Sequence, residues 1–220
     1  MRLTCAISPD ADDLFMFRAL LEGLVDPRGL DFDITTKDTD ALNREAGPPD
    51  VTAISIAHYP KVADRYRLLS HGGSVGRGYG PVVVAPAPLE LAGRRIGVPG
   101  LTTTACLVLR QIVDFTPVVI PIVPASLAFD ALRARTVDAA LLIHEGRLTY
   151  AREGFVKLLD IGVWWLAQTG LPLPLGGNVI RRDLPPESSP APTPPSGRAS
   201  ATRSTTATTP SPGSSRAAPR

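Results

Sequence analysis

The chain has 220 residues, of which 44% are hydrophobic and 20% are charged, enough to bury the core of one sizeable α/β domain or of two small ones. Residues 188–220 contain four Arg and no acid, so residues 1–187 carry 19 basic side chains against 21 acidic ones. This mildly acidic body offers no basic face and excludes nucleic acid as a partner. The apolar stretch before Asp10 is too short for a signal peptide or for a membrane span, and we therefore expect a cytoplasmic protein.

The first half of the chain predicts strands that alternate with helices, judged from the period of its apolar residues and from its capping residues. In chain order these are a strand over 2–7, a helix over 14–24, a strand over 31–35, a short helix capped by Asp38 or Thr39, a buried strand over 51–56, a helix after Pro60 and a loop or hairpin over 71–81. The glycine-rich run 71–81 opens into a strand rather than a helix, which argues against a phosphate cradle.

The second half repeats the same rhythm. It predicts strands within 94–98, 118–123, 137–143 and 155–161, an extended segment over 171–184, and helices over 103–113, 126–135, 146–153 and 163–168. Strands that alternate with helices of about ten residues predict a largely parallel sheet with helices on both faces. Extended crossings near Val83 and Val179 would join two such units into a hinged, two-lobe binding protein, with its ligand in the cleft.

The tail over 188–220 has a composition that cannot bury a core, because it holds no aromatic residue and no aliphatic residue larger than Ala. One interpretation is a disordered tail. The other is a GC-rich gene read out of frame, in which each Ser encoded TCN hides an apolar residue. Under that reading the eight serines fall within one half of a helical wheel, as in an amphipathic helix, and we favour the frameshift.

His144 is the first candidate for catalysis, because it follows an apolar strand whose carboxyl end is where open α/β sheets bind ligands. A histidine there can act as a general base, and the alternative is a structural histidine that closes the turn. Glu145 is interpreted as a solvated or capping carboxylate. Cys5 and Cys106 have no disulfide or zinc-site spacing, and we interpret both as packing residues.

Three threonines open the helix after Gly100, and free N–H groups with hydroxyls at such a start can hold a carboxylate or a phosphate. Simple capping by one of them is an equal alternative. Ser55, near the end of its strand, is a weak candidate donor. Asp10, Asp12 and Asp13 cluster at the first turn, where we favour helix capping over a metal site. The GxSxG spacing of residues 72–76 opens into a strand rather than a helix, so it is not a nucleophile elbow, and no Walker loop or Rossmann fingerprint occurs in the sequence.

Longer segments carry more information than these single residues. They are SPDADDLFMFRALLEGLV, TDALNREA, VTAISIAHYPKVADRYRLLSHGGSVGRGYGPVVVA, GVPGLTTTACLVL, VDAALLIHEGRLTY and LPLPLGGNVIRRDL. In this order they closely resemble blocks of the 1,4-dihydroxy-6-naphthoate synthase family of menaquinone biosynthesis, over residues 2 to about 187. LIHEGRLTY, TGLPLPLG with RRDL, and GRGYGP are the most specific pieces.

The resemblance implies an α/β, two-lobed, periplasmic-binding-protein-like (type 2) fold with mixed, mostly parallel sheets. We expect a first lobe over 1–84, a second over 85–178, a crossing back over 179–187 and the low-complexity tail over 188–220. The family continues beyond RRDL, so the first lobe would be incomplete. The implied activity is that of a carbon–carbon lyase, which converts cyclic dehypoxanthine futalosine to 1,4-dihydroxy-6-naphthoate in the cytoplasm.

The resemblance also implies roles for individual residues. His144 matches the proton acceptor, and the implied substrate-binding residues are Asn43, Ala53, Ile54, Ser55, Thr103, Thr104 and Ala105, with Thr104 and Ala105 facing an aromatic carboxylate. The substrate would be a small aromatic carboxylate, handled without a metal or redox cofactor and without a nucleic-acid or membrane partner.

The chain departs from the family at two places near the cleft. The first turn commonly reads SPCPNDTF, whereas this chain has SPDADDLF, and a Lys commonly stands where this chain has Ala53. The same fold also serves non-catalytic solute-binding proteins and a sister enzyme that dehydrates chorismate, although LIHEGRLTY argues against the sister enzyme. A third alternative is an inactive, truncated product.

Overall fold

A computed structural model of the chain describes residues 1–45, 49–121 and 123–185. Within these ranges the strands are β1 (Arg2–Ile7), β2 (Asp31–Thr36), β3 (Val51–Ser55), β4 (Tyr66–Leu68), β5 (Ser74–Gly76), β6 (Val82–Ala85), β7 (Arg95–Val98), β8 (Thr116–Val119), β9 (Ala139–Leu142), β10 (Val156–Asp160) and β11 (Leu173–Arg181). The helices are α1 (Ala11–Leu21), α2 (Thr39–Arg44), α3 (Thr104–Ile112), α4 (Ser126–Arg133), α5 (Gly146–Thr149) and α6 (Ile161–Thr169). The predictions for residues 188–220, the frameshift among them, lie outside the described residues.

The strands form two sheets. The first has the order β2-β1-β3-β11-β4, with β5 also paired to β11, and the second has the order β10-β6-β9-β7-β8. In the first sheet β1 lies parallel to β2 and to β3, and β11 runs antiparallel to β3. In the second sheet β7 lies parallel to both β8 and β9. The predicted α/β class with mixed sheets is confirmed, while the lobe boundaries at residues 84 and 178 stay a prediction.

Parallel pairing is less dominant than the sequence predicted. Four of the strand pairs in the described ranges are parallel and five are antiparallel. The antiparallel pairs all involve β6 or β11, which are the two extended segments near Val83 and Val179. Parallel pairing requires a crossover connection, usually a helix, between the two strands. A segment that passes from one sheet to the other has no such connection and can therefore pair antiparallel with its neighbours.

The largest cluster of buried side chains packs the second sheet against α3 and α6, and it includes Ile96, Leu109 and Ile161. The opposite face of that sheet packs against α4, where the rings of Phe129 and Phe155 stack at 5.4 Å. Helices therefore cover both faces, as predicted. Both cysteines lie inside the protein, and burial raises the pKa of Cys5 to about 12, in agreement with their interpretation as packing residues.

The helix predicted after Pro60 is wrong. Residues Tyr59–Lys61 form a single 3₁₀ turn, and the chain then enters β4. Tyr66 is almost fully buried and pairs with Arg181 on β11. Because β11 offers a free edge here, the apolar residues that looked like one face of a helix are instead used to extend the first sheet.

Candidate active site

A cavity of about 300 Å³ opens where the two sheets meet, a size in the range of small-molecule sites. The turn after β1, the end of β3, the start of α3, the end of β9 and the middle of β11 all contribute to its wall. The glycine-rich segment 71–81 supplies Gly72, Ser74, Val75, Tyr79, Gly80 and Pro81. This segment was predicted as a loop or hairpin, and part of it forms β5.

His144 lies in the wall of this cavity, directly after β9, and about a fifth of its side chain is exposed. Its backbone has a φ of 46°, in the left-handed region that residues other than glycine rarely adopt. Such a conformation costs free energy and tends to persist where the side chain has a functional task. The strand end and this turn together direct the imidazole into the cavity.

Two carboxylates flank the imidazole ring. Its Nε2 atom lies 3.3 Å from Oδ2 of Asp10, and its Nδ1 atom lies 3.7 Å from Oδ2 of Asp12. The Asp10 side chain is 5% exposed, whereas that of Asp12 is 57% exposed. Asp10 is therefore held beside the ring, and Asp12 can turn into solvent.

These three side chains are also the group that could hold a metal ion. One ligand atom of each of Asp10, Asp12 and His144 lies within 4.8 Å of the others. Two carboxylate oxygens and one imidazole nitrogen are a suitable partial ligand set for a divalent cation. The sequence favoured capping for the acidic cluster, and Asp10 does cap α1, because its side chain accepts a hydrogen bond from the Asp13 N–H at 3.1 Å.

Asp13 is buried and lines the same cavity. Its carboxylate accepts a hydrogen bond of 2.7 Å from the Ser8 N–H. Burial raises the pKa of Asp13 to about 6, and the nearby charge of Asp10 acts in the same direction, while the Ser8 hydrogen bond opposes the rise. Asp13 is consequently a carboxyl group that changes its charge in the mildly acidic range.

Ser55 is the last residue of β3 and lies in the cavity wall, where Asn43 fixes it by hydrogen bonds. The Asn43 amide donates to Ser55 Oγ at 3.0 Å and accepts from the Ser55 N–H at 2.9 Å. The same amide nitrogen lies 3.0 Å from the hydroxyl of Thr102. Asn43 is not among the described residues that line the cavity, so its predicted contact with substrate has no support from this placement. Ala53 and Ile54 do line the cavity beside Ser55.

Thr103, Thr104 and Ala105 also line the cavity, as the sequence suggested. Thr103 caps α3 by accepting from the Cys106 N–H, and its hydroxyl donates to the Gly100 carbonyl. The Thr104 hydroxyl donates to Leu175 O at 2.7 Å and accepts from the Ala57 N–H. Both hydroxyls are thus already engaged, and the backbone N–H groups of Thr104 and Ala105 are the donors that this helix start leaves for a ligand.

Comparison with known proteins shows the family to which the chain belongs. A family model described as menaquinone biosynthesis matches residues 3–194. A 1,4-dihydroxy-6-naphthoate synthase from Thermus thermophilus is 41% identical in an alignment of 189 residues that covers 83% of this chain and 67% of that protein. The chain belongs to the menaquinone biosynthesis family. The resemblance drawn from its sequence segments is therefore confirmed.

Solved structures give the fold class. A protein from Archaeoglobus fulgidus with a solved crystal structure is 49% identical in sequence to this chain, and the two structures superpose with a TM-score of 0.80. The match covers 84% of this chain and 70% of that protein. The alkanesulfonate-binding protein of Xanthomonas axonopodis is 17% identical with a TM-score of 0.58, over 82% of this chain and 65% of that one. This family member thus has the predicted periplasmic-binding-protein-like fold.

The sequence did not predict several residues that line this cavity, above all Arg147 and Tyr79. Arg147 stands three residues after His144 in the segment LIHEGRLTY, and that spacing on one tight turn was an available signal. Glu145 was expected to be solvated or capping, and its carboxylate accepts from the Ala11 N–H at 3.3 Å, at the start of α1. The turn after β9 therefore contacts the turn after β1 through two successive residues.

One further finding concerns membranes. Among the described helices, none combines the length and the apolar character needed to cross a bilayer.

Proposed function

We propose that this chain is a lyase that converts cyclic dehypoxanthine futalosine to 1,4-dihydroxy-6-naphthoate, with His144 as the proton acceptor. The observation that carries the proposal is the position of His144, whose ring lies in the cavity wall with Nε2 3.3 Å from the buried Asp10 carboxylate. The name of the Thermus relative supports the same reaction. A histidine held by a carboxylate at a ligand cavity is a general base near neutral pH.

Asp10 decides which ring nitrogen accepts the proton. The Asp10 carboxylate is the closer of the two acids and lies beside Nε2, so we assign the N–H of the neutral imidazole to Nε2 and its lone pair to Nδ1. Asp12 is exposed beside Nδ1 and can give way to a substrate. His144 then removes a proton from the sugar-derived part of the substrate, Asp10 stabilises the resulting imidazolium, and the spiro ring system collapses as the naphthalene ring becomes aromatic.

The opposite parts of the wall hold the substrate while this happens. Ser55 presents a hydroxyl whose oxygen is fixed by Asn43 and whose hydrogen has no acceptor among the residues that the structure describes. Ala53 and Ile54 extend the same surface, and the N–H groups of Thr104 and Ala105 face an aromatic carboxylate. Asn43 acts through Ser55 rather than on the substrate. Closure of the two predicted lobes, in the cytoplasm, would keep the groups aligned.

Turnover of the cyclic substrate tests the proposal directly. The full chain is incubated with cyclic dehypoxanthine futalosine, and release of 1,4-dihydroxy-6-naphthoate is followed by liquid chromatography. Naphthoate release above the rate without protein supports the lyase. Saturable binding without release would contradict it and favour a solute-binding protein, and a folded chain that neither binds nor reacts would favour the inactive product.

A further inference from the structure

The charges in the cavity wall are unevenly distributed. Asp10, Asp12 and Asp13 contribute three carboxyl groups from the first turn. Among the described residues that line the cavity, Arg147 is the single Lys or Arg side chain. Among these lining residues, Arg147 is therefore the one permanent positive charge that an anionic ligand would meet.

Arg147 is held in place by its neighbours, and no acidic side chain in the described part of the chain pairs with it. Its backbone N–H donates to His144 O at 3.2 Å, so the proton acceptor and the arginine lie on one turn. The guanidinium carbon lies 5.1 Å from the centre of the Tyr79 ring, a distance at which the cation is attracted to the ring face. This contact holds the guanidinium near the ring and forms no hydrogen bond with its terminal N–H groups.

The Nε atom of Arg147 is buried and has no hydrogen-bond partner among the described residues. The acids of the cavity are engaged elsewhere, since Asp10 and Asp12 flank His144 and Asp13 accepts from Ser8. A buried donor without a partner costs free energy. The terminal Nη groups of the same guanidinium are not among the buried unpaired atoms, and a carboxylate that enters the cavity would accept two parallel hydrogen bonds from them.

We propose that Arg147, in cation–π contact with Tyr79, is the binding residue for the carboxylate of the ligand in this cavity. This inference rests on the proposed function for the identity of the ligand, an aromatic carboxylate. The neutral N–H groups at the start of α3 line the same cavity and can share the anion, while Arg147 provides the charge. Selection of a carboxylate over an uncharged aromatic ring then depends on this one side chain.

The test compares two ligands that differ only in the carboxylate. Under anaerobic conditions, calorimetry measures the binding of 1,4-dihydroxy-6-naphthoate and of 1,4-dihydroxynaphthalene to the full chain and to its Arg147→Gln and Arg147→Lys variants. Arg152→Gln, an exposed arginine just beyond α5, is the matched control.

We expect Arg147→Gln to weaken naphthoate binding by about 10- to 100-fold, because hydrogen bonds to charged groups are the strong ones. Binding of the uncharged diol changes less than about twofold, Arg147→Lys falls between, and the control behaves as the wild type. An equal loss for both ligands would assign Arg147 a structural role and overturn the proposal. So would a wild type that binds the two ligands equally or binds neither.

Turnover of cyclic dehypoxanthine futalosine, measured in parallel, separates this inference from the function on which it rests. Carboxylate-dependent binding without turnover would support the role of Arg147 and contradict the lyase activity. Turnover combined with binding that does not depend on Arg147 would support the lyase activity and contradict the role of Arg147.

Discussion

His144 and Asp10 meet across the cavity at 3.3 Å, although they lie at the ends of two strands in different sheets. Asp10 is simultaneously the N-cap of α1, so the helix holds the carboxylate and the carboxylate holds the imidazole. The position of the His144 imidazole therefore depends on the contact between the turns after β1 and after β9. Four expectations follow from the groups around this pair.

Asp10→Asn should lower kcat by about 10- to 100-fold with little change in KM. Asparagine caps a helix about as well as aspartate, so α1 remains intact while the charge that stabilises the imidazolium is lost. Steady-state kinetics give the two constants, and thermal unfolding confirms that the variant is folded. Asp12→Asn, which changes an exposed carboxylate, is the control and should retain most of the activity; the same fall in both variants would contradict a specific role for Asp10.

Chelation should leave turnover unchanged, and zinc should inhibit. A cation held by Asp10, Asp12 and His144 would occupy the imidazole lone pair that we propose as the acceptor of the substrate proton. Activity is measured after dialysis against EDTA and again with added Zn²⁺, in the wild type and in Asp12→Asn, where inhibition should weaken. Loss of activity on chelation, with recovery on adding a divalent cation, would instead show that these residues form a functional metal site.

Asp13→Asn should stabilise the protein at pH 8 and lose that advantage at pH 4. The pKa of Asp13 rises from its ordinary value of 3.8 to about 6 because of burial, so the folded protein binds a proton more tightly than the unfolded chain does. The stabilising contribution of this proton is complete below about pH 4 and is lost as the pH rises through 6. At pH 8 the charged, buried Asp13 carboxylate therefore lowers the free energy of unfolding of the wild type by about 3 kcal/mol.

Urea unfolding of the wild type and of Asp13→Asn at both pH values measures this difference. At pH 8 the substitution is expected to raise the free energy of unfolding by about 1–3 kcal/mol. The gain is smaller than the full cost of the charged carboxylate because the neutral amide accepts the Ser8 hydrogen bond less strongly. Asp12→Asn serves again as the exposed control. A difference between wild type and Asp13→Asn that does not vary with pH would show that Asp13 has an ordinary pKa.

Asn43→Ala should destabilise the fold by about 1–3 kcal/mol, because it leaves the buried Ser55 N–H without its acceptor. The Ser55 hydroxyl also loses its donor and becomes free to rotate, so KM should rise as well. Urea unfolding and steady-state kinetics measure the two effects. If KM rises while the free energy of unfolding stays the same, Asn43 contacts the substrate directly, and its placement behind Ser55 is not the whole explanation.

The elements with one clear period were predictable from the sequence. β3 and β9 are fully buried runs of apolar and small residues bounded by turns, and α3 has the capping threonine and the apolar face that were expected. β4 and β5 were not predictable, since each is a three-residue strand that exists because β11 offers it a partner. Strands this short carry no periodic signal of their own.

The site could be predicted only in part for a similar reason. His144, Ser55 and the start of α3 each follow a strand or open a helix, so their local sequence points to a cavity. Asp10 looked like a capping residue and is one; its second role appears only when the fold brings it to His144. Arg147 was missed because the sequence does not show that Tyr79 lies 5.1 Å from its guanidinium.

The most direct test of the central claim is turnover by His144→Gln, measured beside wild type under saturating cyclic dehypoxanthine futalosine. Glutamine keeps a polar side chain of similar reach but cannot accept the proton, so we predict a loss of at least about 100-fold in naphthoate release with substrate binding retained. A variant that releases naphthoate at the wild-type rate would contradict His144 as the proton acceptor.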